Sequence, residues 1–318
     1  MERATGSYAF DLKDYVSIAR PDHWFKNIFM LPGFALAVMF VGHVGWGTVV
    51  WMILAVVSTC LAASANYVIN EWRDAEYDRH HPEKKFRPAA AGRIRANYVY
   101  LEYLLLSTVS VLIAYFIGKL FLFNILFLLV MGLLYNVPPY RTKDKVYLDV
   151  LSESINNPIR LMLGWTAIVT TVMPPISVIL AYWMGGAFLM AVKRYAEYRH
   201  IGDPLLAGQY RRSFEFYDEQ KLLVSSFFYA ISASFFLAVF LIKYRIELLL
   251  TFPLFSLLFA WYMVIANKQD SAVQHPETLY KERRFISFVI FLGFITGVLF
   301  FVDIPGLKVL VSPMHIDH

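Results

Sequence analysis

The stretch TVVWMILAVVSTCLAASANYVINEWRDAEYDRHHPEKKFRPAAAG, residues 48–92, decides the fold. It opens with an apolar run of about 20 residues, the length that an α-helix needs to cross the hydrocarbon core of a bilayer. Acidic residues follow at the end of that run, and a cluster of basic residues comes after them. The stretch therefore predicts a membrane-spanning helix that leads directly into a charged segment at the membrane surface.

The polar residues at the end of this helix recur every four positions. They are Asn66, Asn70, Asp74 and Asp78. This spacing places them on one helix face, and two carboxylates one turn apart suit Mg²⁺, which prefers oxygen ligands and shares its shell with substrate phosphates. Cations able to bind the remaining phosphate oxygens follow at Lys84, Lys85, Arg87 and Arg93. Acid followed by base indicates a diphosphate site, and the alternative is a helix cap followed by a solvated loop.

The composition places most of the chain in lipid. Of its 318 residues, 58% are hydrophobic and 17% are charged, whereas a soluble domain is roughly one quarter charged. The net charge of +5 is explained by the distribution of basic residues about the membrane rather than by nucleic acid. The single cysteine, Cys60, excludes an intramolecular disulfide and a cysteine-ligated zinc or iron–sulfur centre.

Nine segments are apolar and long enough to span a membrane. They are residues 25–44, 48–70, 97–117, 120–136, 147–171, 175–192, 222–242, 247–266 and 285–303. We therefore expect an all-α integral membrane protein, with nine transmembrane helices in a bundle around a cytosol-facing polar cavity. Residues 1–318 are expected to form a single domain, because no soluble domain accompanies the spans.

Lysine and arginine are distributed unequally between the two sides of the membrane. The N-terminal segment, counted through Lys26 at the mouth of the first span, and the even-numbered connectors hold 24 of them, and the opposite side holds 4. The positive-inside rule places the more basic side in the cytoplasm. We therefore expect a multi-pass protein of the cell inner (plasma) membrane, with a cytoplasmic N-terminus and active site and with the C-terminus outside.

The fifth predicted span carries polar and charged residues on one face. They are Asp149, Glu153, Asn156, Asn157 and Arg160. Arg160 lies eleven residues beyond Asp149, about 16 Å further along a helix and inside the hydrocarbon core. Ionisable groups at such depth are paired or mark a substrate path, and Pro158 is tolerated where a cavity lies nearby. The alternative for Arg160 is a structural ion pair.

Two further basic elements are predicted on the cytoplasmic side. RPDHWFKN ends in Lys26 and Asn27, and KRYAEYR contains Lys193, Arg194 and Glu197. These residues could bind phosphate, or the lysines could extend toward the lipid headgroups. The fourth connector contains Tyr140, Arg141, Lys143 and Lys145, which are better explained as determinants of topology. His80 and His81 are interpreted as polar loop residues, because adjacent helical positions do not face each other.

These motifs resemble the UbiA-type superfamily of intramembrane transferases, nine-helix proteins in which two aspartate-rich motifs bind a diphosphate substrate through Mg²⁺. The resemblance spans nearly the whole chain, and the acidic motif with its RP…G tail is common to the superfamily. RPxxWxKN and KRxxE favour the branch that transfers 5-phosphoribosyl from 5-phosphoribosyl 1-diphosphate to a polyprenyl (decaprenyl-like) phosphate. The resemblance thus implies a Mg²⁺-dependent enzyme that releases pyrophosphate, with Mn²⁺ able to substitute.

The resemblance also implies roles for individual residues. The NDxxDxxxD pattern assigns the metal ligands to Asn70, Glu71, Asp74 and Asp78, with Glu in place of Asp at its second position. The implied catalytic residues are Asp74, Asp78, Arg160 and Lys26. The implied substrate-binding residues are Asn66, Asn70, Lys84, Lys85, Arg87, Asp149, Glu153, Asn157, Lys193, Arg194 and Glu197. Asp149 and Glu153 form the thinner second motif, which could hold a second metal or orient lysines.

The expected partners are 5-phosphoribosyl 1-diphosphate, a polyprenyl phosphate and the lipid bilayer, without nucleic acid, and homo-oligomer formation is left open. Departure of pyrophosphate leaves cationic character on carbon, so the enzyme must neutralise the leaving group and hold the acceptor close. The acceptor phosphate is already anionic and needs no general base. One alternative is an aromatic prenyltransferase with a prenyl diphosphate donor and a quinone or haem precursor as acceptor. Another is a transporter, which the acidic stripe followed by KKFRP disfavours.

Overall fold

A computed structural model describes residues 11–42, 45–79, 84–268, 271–274 and 276–307. Within these ranges the regular structure consists of α-helices and short 3₁₀ segments, and no β-strand occurs. The predicted all-α class is therefore confirmed. The helices divide into two compact units, Met1–Pro174 and Pro175–His318.

The first unit contains seven α-helices among its described residues. They are α1 (Leu12–Ile18), α2 (Leu31–Val41), α3 (Trp46–Asp78), α4 (Ala96–Ile117), α5 (Lys119–Asn136), α6 (Leu148–Ser154) and α7 (Asn156–Thr166). The 3₁₀ segment Pro21–Met30 connects α1 to α2. Asp11 caps α1 by accepting a hydrogen bond from the Lys13 amide at 2.9 Å, and Gly42 ends α2 with a φ of +85°.

The second unit contains five α-helices among its described residues. They are α8 (Ile176–Ile201), α9 (Pro204–Tyr210), α10 (Glu219–Tyr244), α11 (Phe252–Ala266) and α12 (Arg283–Phe301). Asp203 and Asp218 cap α9 and α10 by accepting hydrogen bonds from first-turn amides. Helix α8 packs against α10, and α11 contacts both.

Eight helical stretches of the described residues have the length and apolar composition needed to cross a membrane. They are Leu12–Val41, Trp46–Asp78, Ala96–Ile117, Lys119–Asn136, Ile176–Ile201, Glu219–Tyr244, Ile246–Ala266 and Arg283–Phe301. They correspond to all the predicted spans except the fifth.

The fifth predicted span, residues 147–171, consists of two short helices instead of one long one. Helix α6 ends at Ser154 and α7 begins at Asn156. Pro158 lies in the first turn of α7, where the amide that proline lacks would have no partner within the helix. Every residue from Pro158 to Thr166 is buried. The apolar character of this segment therefore reflects burial within protein, which hydropathy does not distinguish from burial in lipid.

Helices α2 and α7 approach each other closely through two glycines. A Cβ at Gly33 would lie 2.0 Å from the Leu161 carbonyl oxygen, and a Cβ at Gly164 would lie 2.2 Å from that of Met30. Close approach through small residues is a common way for helices to pack in membranes. The contact holds α7 against the 3₁₀ segment that carries Asn27.

Helix α3 is longer than a single membrane crossing requires. It contains 33 residues, or about 50 Å at 1.5 Å per residue, which exceeds the roughly 30 Å of hydrocarbon. Its apolar half is fixed to α4 by reciprocal hydrogen bonds: Ser58 Oγ donates to the Ser110 carbonyl at 2.9 Å, and Ser110 Oγ donates to the Ser58 carbonyl at 2.8 Å. The remaining turns of α3 are thereby available for polar contacts.

Candidate active site

The two amides of the predicted stripe attach α3 to α5. Asn66 Nδ2 donates to the Leu128 carbonyl at 2.9 Å, and Asn70 Nδ2 donates to Asn136 Oδ1 at 2.5 Å. Gly132 provides the necessary space, because a Cβ there would lie 2.1 Å from the Asn66 side chain. These bonds fix the rotation of α3 and hence the direction in which its carboxylates point.

Asp74 lies one turn beyond Asn70 and binds two cations from the connector between α5 and α6. Its Oδ1 accepts hydrogen bonds from Arg141 Nη2 at 2.9 Å and from Lys143 Nζ at 2.5 Å. Arg141 also donates to Asp144 at 2.7 Å, and its backbone φ of +29° is unusual for a residue other than glycine. The tight turn at Arg141 thus directs both cations at Asp74.

Lys143 is the most buried of these cations, with 8% of its side chain exposed. Its Nζ also donates to Asn136 Oδ1 at 2.9 Å, so it links the carboxylate to the amide of α5. Burial lowers the pKa of Lys143 to about 8, while the neighbouring Asp74 opposes that shift. The ammonium group is therefore still charged at neutral pH.

Asp78 binds a cation from the connector between α3 and α4. Its Oδ2 lies 2.6 Å from Arg87 Nη1, and its side chain is 9% exposed. Lys84 is half-buried and Lys85 is exposed in the same connector. The two carboxylates of the stripe are thus compensated separately, Asp74 from one connector and Asp78 from the other.

Glu71, the second acidic position of the motif, binds a backbone amide. It is 4% exposed, and its Oε1 accepts a hydrogen bond from the Ala89 N–H at 3.4 Å. Glu71, which lies in α3, therefore contacts the connector between α3 and α4, and this connector also supplies Arg87.

Arg160 is buried in α7 and contacts the 3₁₀ segment of the first unit. Its Nε donates to Asn27 Oδ1 at 2.9 Å, and Asn27 Nδ2 lies 3.1 Å from Cys60 Sγ in α3. Lys26 Nζ lies 5.9 Å from the centroid of the Tyr67 ring, also in α3. The structure thus brings together two of the predicted catalytic residues, Arg160 and Lys26, around one side of α3.

The second acidic motif occupies α6. Asp149 is fully buried, whereas Glu153 and Asn157 are half-buried. Glu153 Oε2 accepts a hydrogen bond from Tyr135 OH at 2.8 Å, which connects the motif to the end of α5. Both motifs therefore contact the last residues of α5, Tyr135 for the second and Asn136 for the first.

The KRxxE motif forms an ion-pair cluster within the second unit. In α8, Arg194 Nη1 lies 3.1 Å from Glu197 Oε2, and Lys193 Nζ lies 3.7 Å from Glu197 Oε1. The side chain of Arg194 is 1% exposed. Two cations share one carboxylate, so the cluster carries an excess of positive charge.

Four residues of the first unit contact the acidic motifs without having been singled out as functional in the sequence. They are Tyr135, Asn136, Arg141 and Lys143. The positive-inside rule accounts for Arg141 and Lys143 equally well as topology determinants and as functional cations, so it does not distinguish the two roles. An amide at the end of an apolar helix was an available signal for Asn136, because polar groups in membrane helices are costly unless they have a function.

The donor set of the acidic stripe fits Mg²⁺. Asp74 accepts its hydrogen bonds on Oδ1 and Asp78 on Oδ2, so among the described residues the other oxygen of each carboxylate is left to a ligand. The part of the chain that the structure describes contains no group of three or more His, Cys, Asp or Glu able to hold a metal ion by themselves. A hard cation here would complete its shell with water and substrate oxygens, as Mg²⁺ usually does. His80 and His81 lie outside the described residues.

The sequence matches the UbiA prenyltransferase family over residues 28–295. This match covers most of the chain, so the chain belongs to the UbiA prenyltransferase family. Together with the eight apolar helical stretches, membership of this family identifies an integral membrane protein.

Curated relatives of the chain include proteins named decaprenyl-phosphate phosphoribosyltransferase. The chain is 31% identical to the protein from Mycolicibacterium smegmatis over 183 residues, 57% of this chain and 56% of the relative. It is 30% identical to the protein from Mycobacterium tuberculosis over 203 residues, 64% of this chain and 65% of the relative. The chain thus covers less than two thirds of either relative. A protoheme IX farnesyltransferase from Bacillus mycoides is 26% identical over 196 residues, 57% of this chain and 60% of that protein.

Solved structures of a UbiA homolog from Archaeoglobus fulgidus share the fold. The structure bound to DMAPP and Mg²⁺ superposes with a TM-score of 0.68 at 19% identity, and the one bound to GPP and Mg²⁺ with a TM-score of 0.67 at 20% identity. Both comparisons cover 91% of this chain and 100% of the other.

Proposed function

We propose that this chain transfers 5-phosphoribosyl from 5-phosphoribosyl 1-diphosphate to a polyprenyl, decaprenyl-like phosphate in a Mg²⁺-dependent reaction. The observation that carries the proposal is the acidic pair of α3, in which Asp74 and Asp78 are each bound to cations from a flanking connector. The names of the two mycobacterial relatives support the choice of donor and acceptor. The bond from ribose C1 to pyrophosphate breaks, and a bond from C1 to an oxygen of the lipid phosphate forms.

The donor diphosphate is proposed to bind at the acidic stripe. Asp74 and Asp78, with Asn70 as a further candidate and with Glu71 assigned to the metal only by the resemblance, would hold Mg²⁺, for which Mn²⁺ could substitute. When bound, the metal neutralises charge on the leaving pyrophosphate. Phosphate oxygens that the metal does not reach are assigned to basic residues of the two connectors: Lys84, Lys85, Arg87, Arg141 and Lys143. Asn66 and Asn136 orient the stripe through the hydrogen bonds between α3 and α5.

The acceptor phosphate is assigned to the buried cations of the first unit. Arg160 and Lys26 would bind this phosphate and hold it near ribose C1, where its own charge makes it the nucleophile without a general base. Asn157, one turn before Arg160, adds an amide, while Asp149 and Glu153 orient the cations around the substrates. In the second unit, Lys193 and Arg194 bind substrate phosphate, and Glu197 orients Arg194.

The proposed topology follows from the charge distribution. We propose that helices α6 and α7 together make one crossing, which brings the number of crossings to nine. The N-terminus and the active site are then cytoplasmic and the C-terminus is outside, in the inner (plasma) membrane. We also propose that residues 1–318 act as one transferase domain, since the family match extends across both compact units.

Turnover by the purified protein tests the proposed function. With radiolabelled 5-phosphoribosyl 1-diphosphate and decaprenyl phosphate, we expect a labelled lipid product that is lost in EDTA and in Asp74→Asn. Glu76→Gln, which changes an exposed residue of the same helix, serves as the matched control. The similarity to a farnesyltransferase favours prenyl transfer as the second candidate. Transfer from a prenyl diphosphate to a quinone or haem precursor, without phosphoribosyl transfer, would overturn the proposal.

A further inference from the structure

The connector between α3 and α4 contains a compact loop, residues 84–95, that carries Arg87 to Asp78. Its backbone closes on itself, with the Ala91 amide donating to the Arg87 carbonyl at 2.9 Å and the Arg93 amide donating to the Pro88 carbonyl at 3.0 Å. Gly92 adopts a φ of +75°, which glycine accommodates without strain. The loop therefore has a defined conformation.

Helix α1 holds the loop from one side. Arg93 Nε donates to both carboxylate oxygens of Asp14, at 3.1 and 3.0 Å, and the Arg95 amide donates to Tyr15 OH at 3.1 Å. An apolar cluster lies beneath these polar contacts and contains residues from α1, α3, the loop and α4. Its buried members are Tyr15, Ile18, Ala19, Val68, Trp72, Ala75, Ala89, Ile94 and Val99. The short helix α1 thus holds the loop in place through both polar and apolar contacts.

Helix α3 holds the loop from the other side through two contacts to its backbone. Glu71 Oε1 accepts from the Ala89 amide at 3.4 Å, and Arg79 Nε donates to the Ala90 carbonyl at 3.2 Å. Ala89 is two residues beyond Arg87, so the Glu71 contact fixes the backbone directly after the residue that binds Asp78. This contact requires a hydrogen-bond acceptor at position 71 but does not require a negative charge.

We propose that Glu71 and α1 are positioning elements of a phosphate-binding loop formed by residues 84–95, and that Glu71 acts as its backbone acceptor rather than as a metal ligand. The inference rests on the proposed function only where it names phosphate as the ligand of the loop. The resemblance assigns Glu71 to the metal, and the two assignments predict different results for one conservative substitution. Glutamine keeps an acceptor oxygen at position 71, whereas leucine removes it.

Amide hydrogen exchange of the metal-free protein measures how readily the loop backbone opens, and it does not require turnover. We expect Glu71→Leu to speed exchange of residues 89–95 about fivefold, the effect of losing one typical hydrogen bond, while Glu71→Gln leaves exchange near the wild-type rate. Asp14→Asn with Tyr15→Phe should speed exchange at residues 93–95. Exposed Lys13→Gln in α1 and exposed Glu76→Gln in α3 are the matched controls and should change nothing.

Steady-state kinetics then separates positioning from metal binding. Glu71→Leu and the α1 double variant should raise KM for the phosphoribosyl donor severalfold with kcat nearly unchanged. Glu71→Gln should keep the wild-type Mg²⁺ midpoint, which is the Mg²⁺ concentration that gives half-maximal turnover. A Mg²⁺ midpoint shifted by Glu71→Gln as much as by Asp74→Asn would make Glu71 a metal ligand and overturn the inference. Wild-type exchange rates in all variants would also overturn it. If the wild-type protein transfers no phosphoribosyl group, the proposed function fails while the exchange data still decide the role of Glu71.

Discussion

Replacing Gly33 or Gly164 by alanine should impair both stability and turnover. The Cβ at Gly33 would lie 2.0 Å from the Leu161 oxygen and the Cβ at Gly164 would lie 2.2 Å from the Met30 oxygen. Both obstacles are backbone atoms, which cannot rotate away as a side chain would. Because Cβ contacts below 3.0 Å are essentially absent from proteins, α7 would have to move away from α2 by about 1 Å.

This displacement would act directly on the hydrogen bond between Asn27 and Arg160, which is 2.9 Å long and connects the same two parts of the chain. An increase of about 1 Å takes it beyond hydrogen-bonding range. Overpacking of this kind typically costs about 1–3 kcal/mol of stability, and a misplacement of about 1 Å at a reacting group can cost about 100-fold in rate. We therefore expect each variant to unfold at a lower temperature and to turn over about 100-fold more slowly.

Thermal unfolding in detergent and the initial rate of lipid-linked product measure the two effects. A single separation of the helices would relieve both clashes, so the double variant should lose little more than the worse single variant. Gly185→Ala is the control, since a Cβ there meets no atom within 4 Å among the described residues. Single variants that behave like Gly185→Ala, or losses that add fully in the double variant, would refute the reasoning.

Three further outcomes are expected. Asp74→Asn and Asp78→Asn should each lower turnover by roughly 100-fold or more. EDTA should abolish turnover until Mg²⁺ or Mn²⁺ is restored, and full activity in EDTA would contradict the metal assignment. Arg160→Lys keeps the charge but loses the planar fork, so kcat/KM should fall with little change in Tm; unchanged kinetics in Arg160→Met would end the substrate-binding interpretation. Cysteines introduced at Lys85 and Gln209 should react only with cytoplasmic reagents, and reaction only from outside would reverse the topology.

Most membrane helices were predictable because length and apolar composition are properties of the local sequence. The fifth predicted span was different, since it breaks at Ile155 between α6 and α7, and the apolar side chains of α7 are buried by protein. Hydropathy measures only the preference for a non-aqueous environment and is the same for both kinds of burial. Pro158 is a local signal for the start of α7, but the burial of α7 depends on tertiary contacts, among them the glycine contact with α2, that no window of sequence contains.

The sequence predicts which helix face carries the acidic stripe but not which residues bind its carboxylates. A spacing of four fixes the helix face, which is why Asn66 and Asn70 both meet α5 in the structure. Arg141 and Lys143 are more than sixty residues away from Asp74 in sequence, and they reach it through a turn in which Arg141 has a positive φ. Neither the turn conformation nor its target is encoded in a local pattern.

The charges around the end of α3 bear on how the proposed metal and donor would affect each other's binding. Three carboxylates and three cations pair there: Asp74, Asp78, Asp144, Arg87, Arg141 and Lys143. With the ammonium of Lys143 charged at neutral pH, because its pKa is about 8, these six groups sum to zero. A divalent cation alone would meet three nearby positive charges, and a diphosphate alone would meet three negative ones. If Mg²⁺ and the donor diphosphate bind here as proposed, each would offset the charge that opposes the other. We therefore expect the two to bind with positive coupling, and the connector cations would stay with pyrophosphate as it leaves.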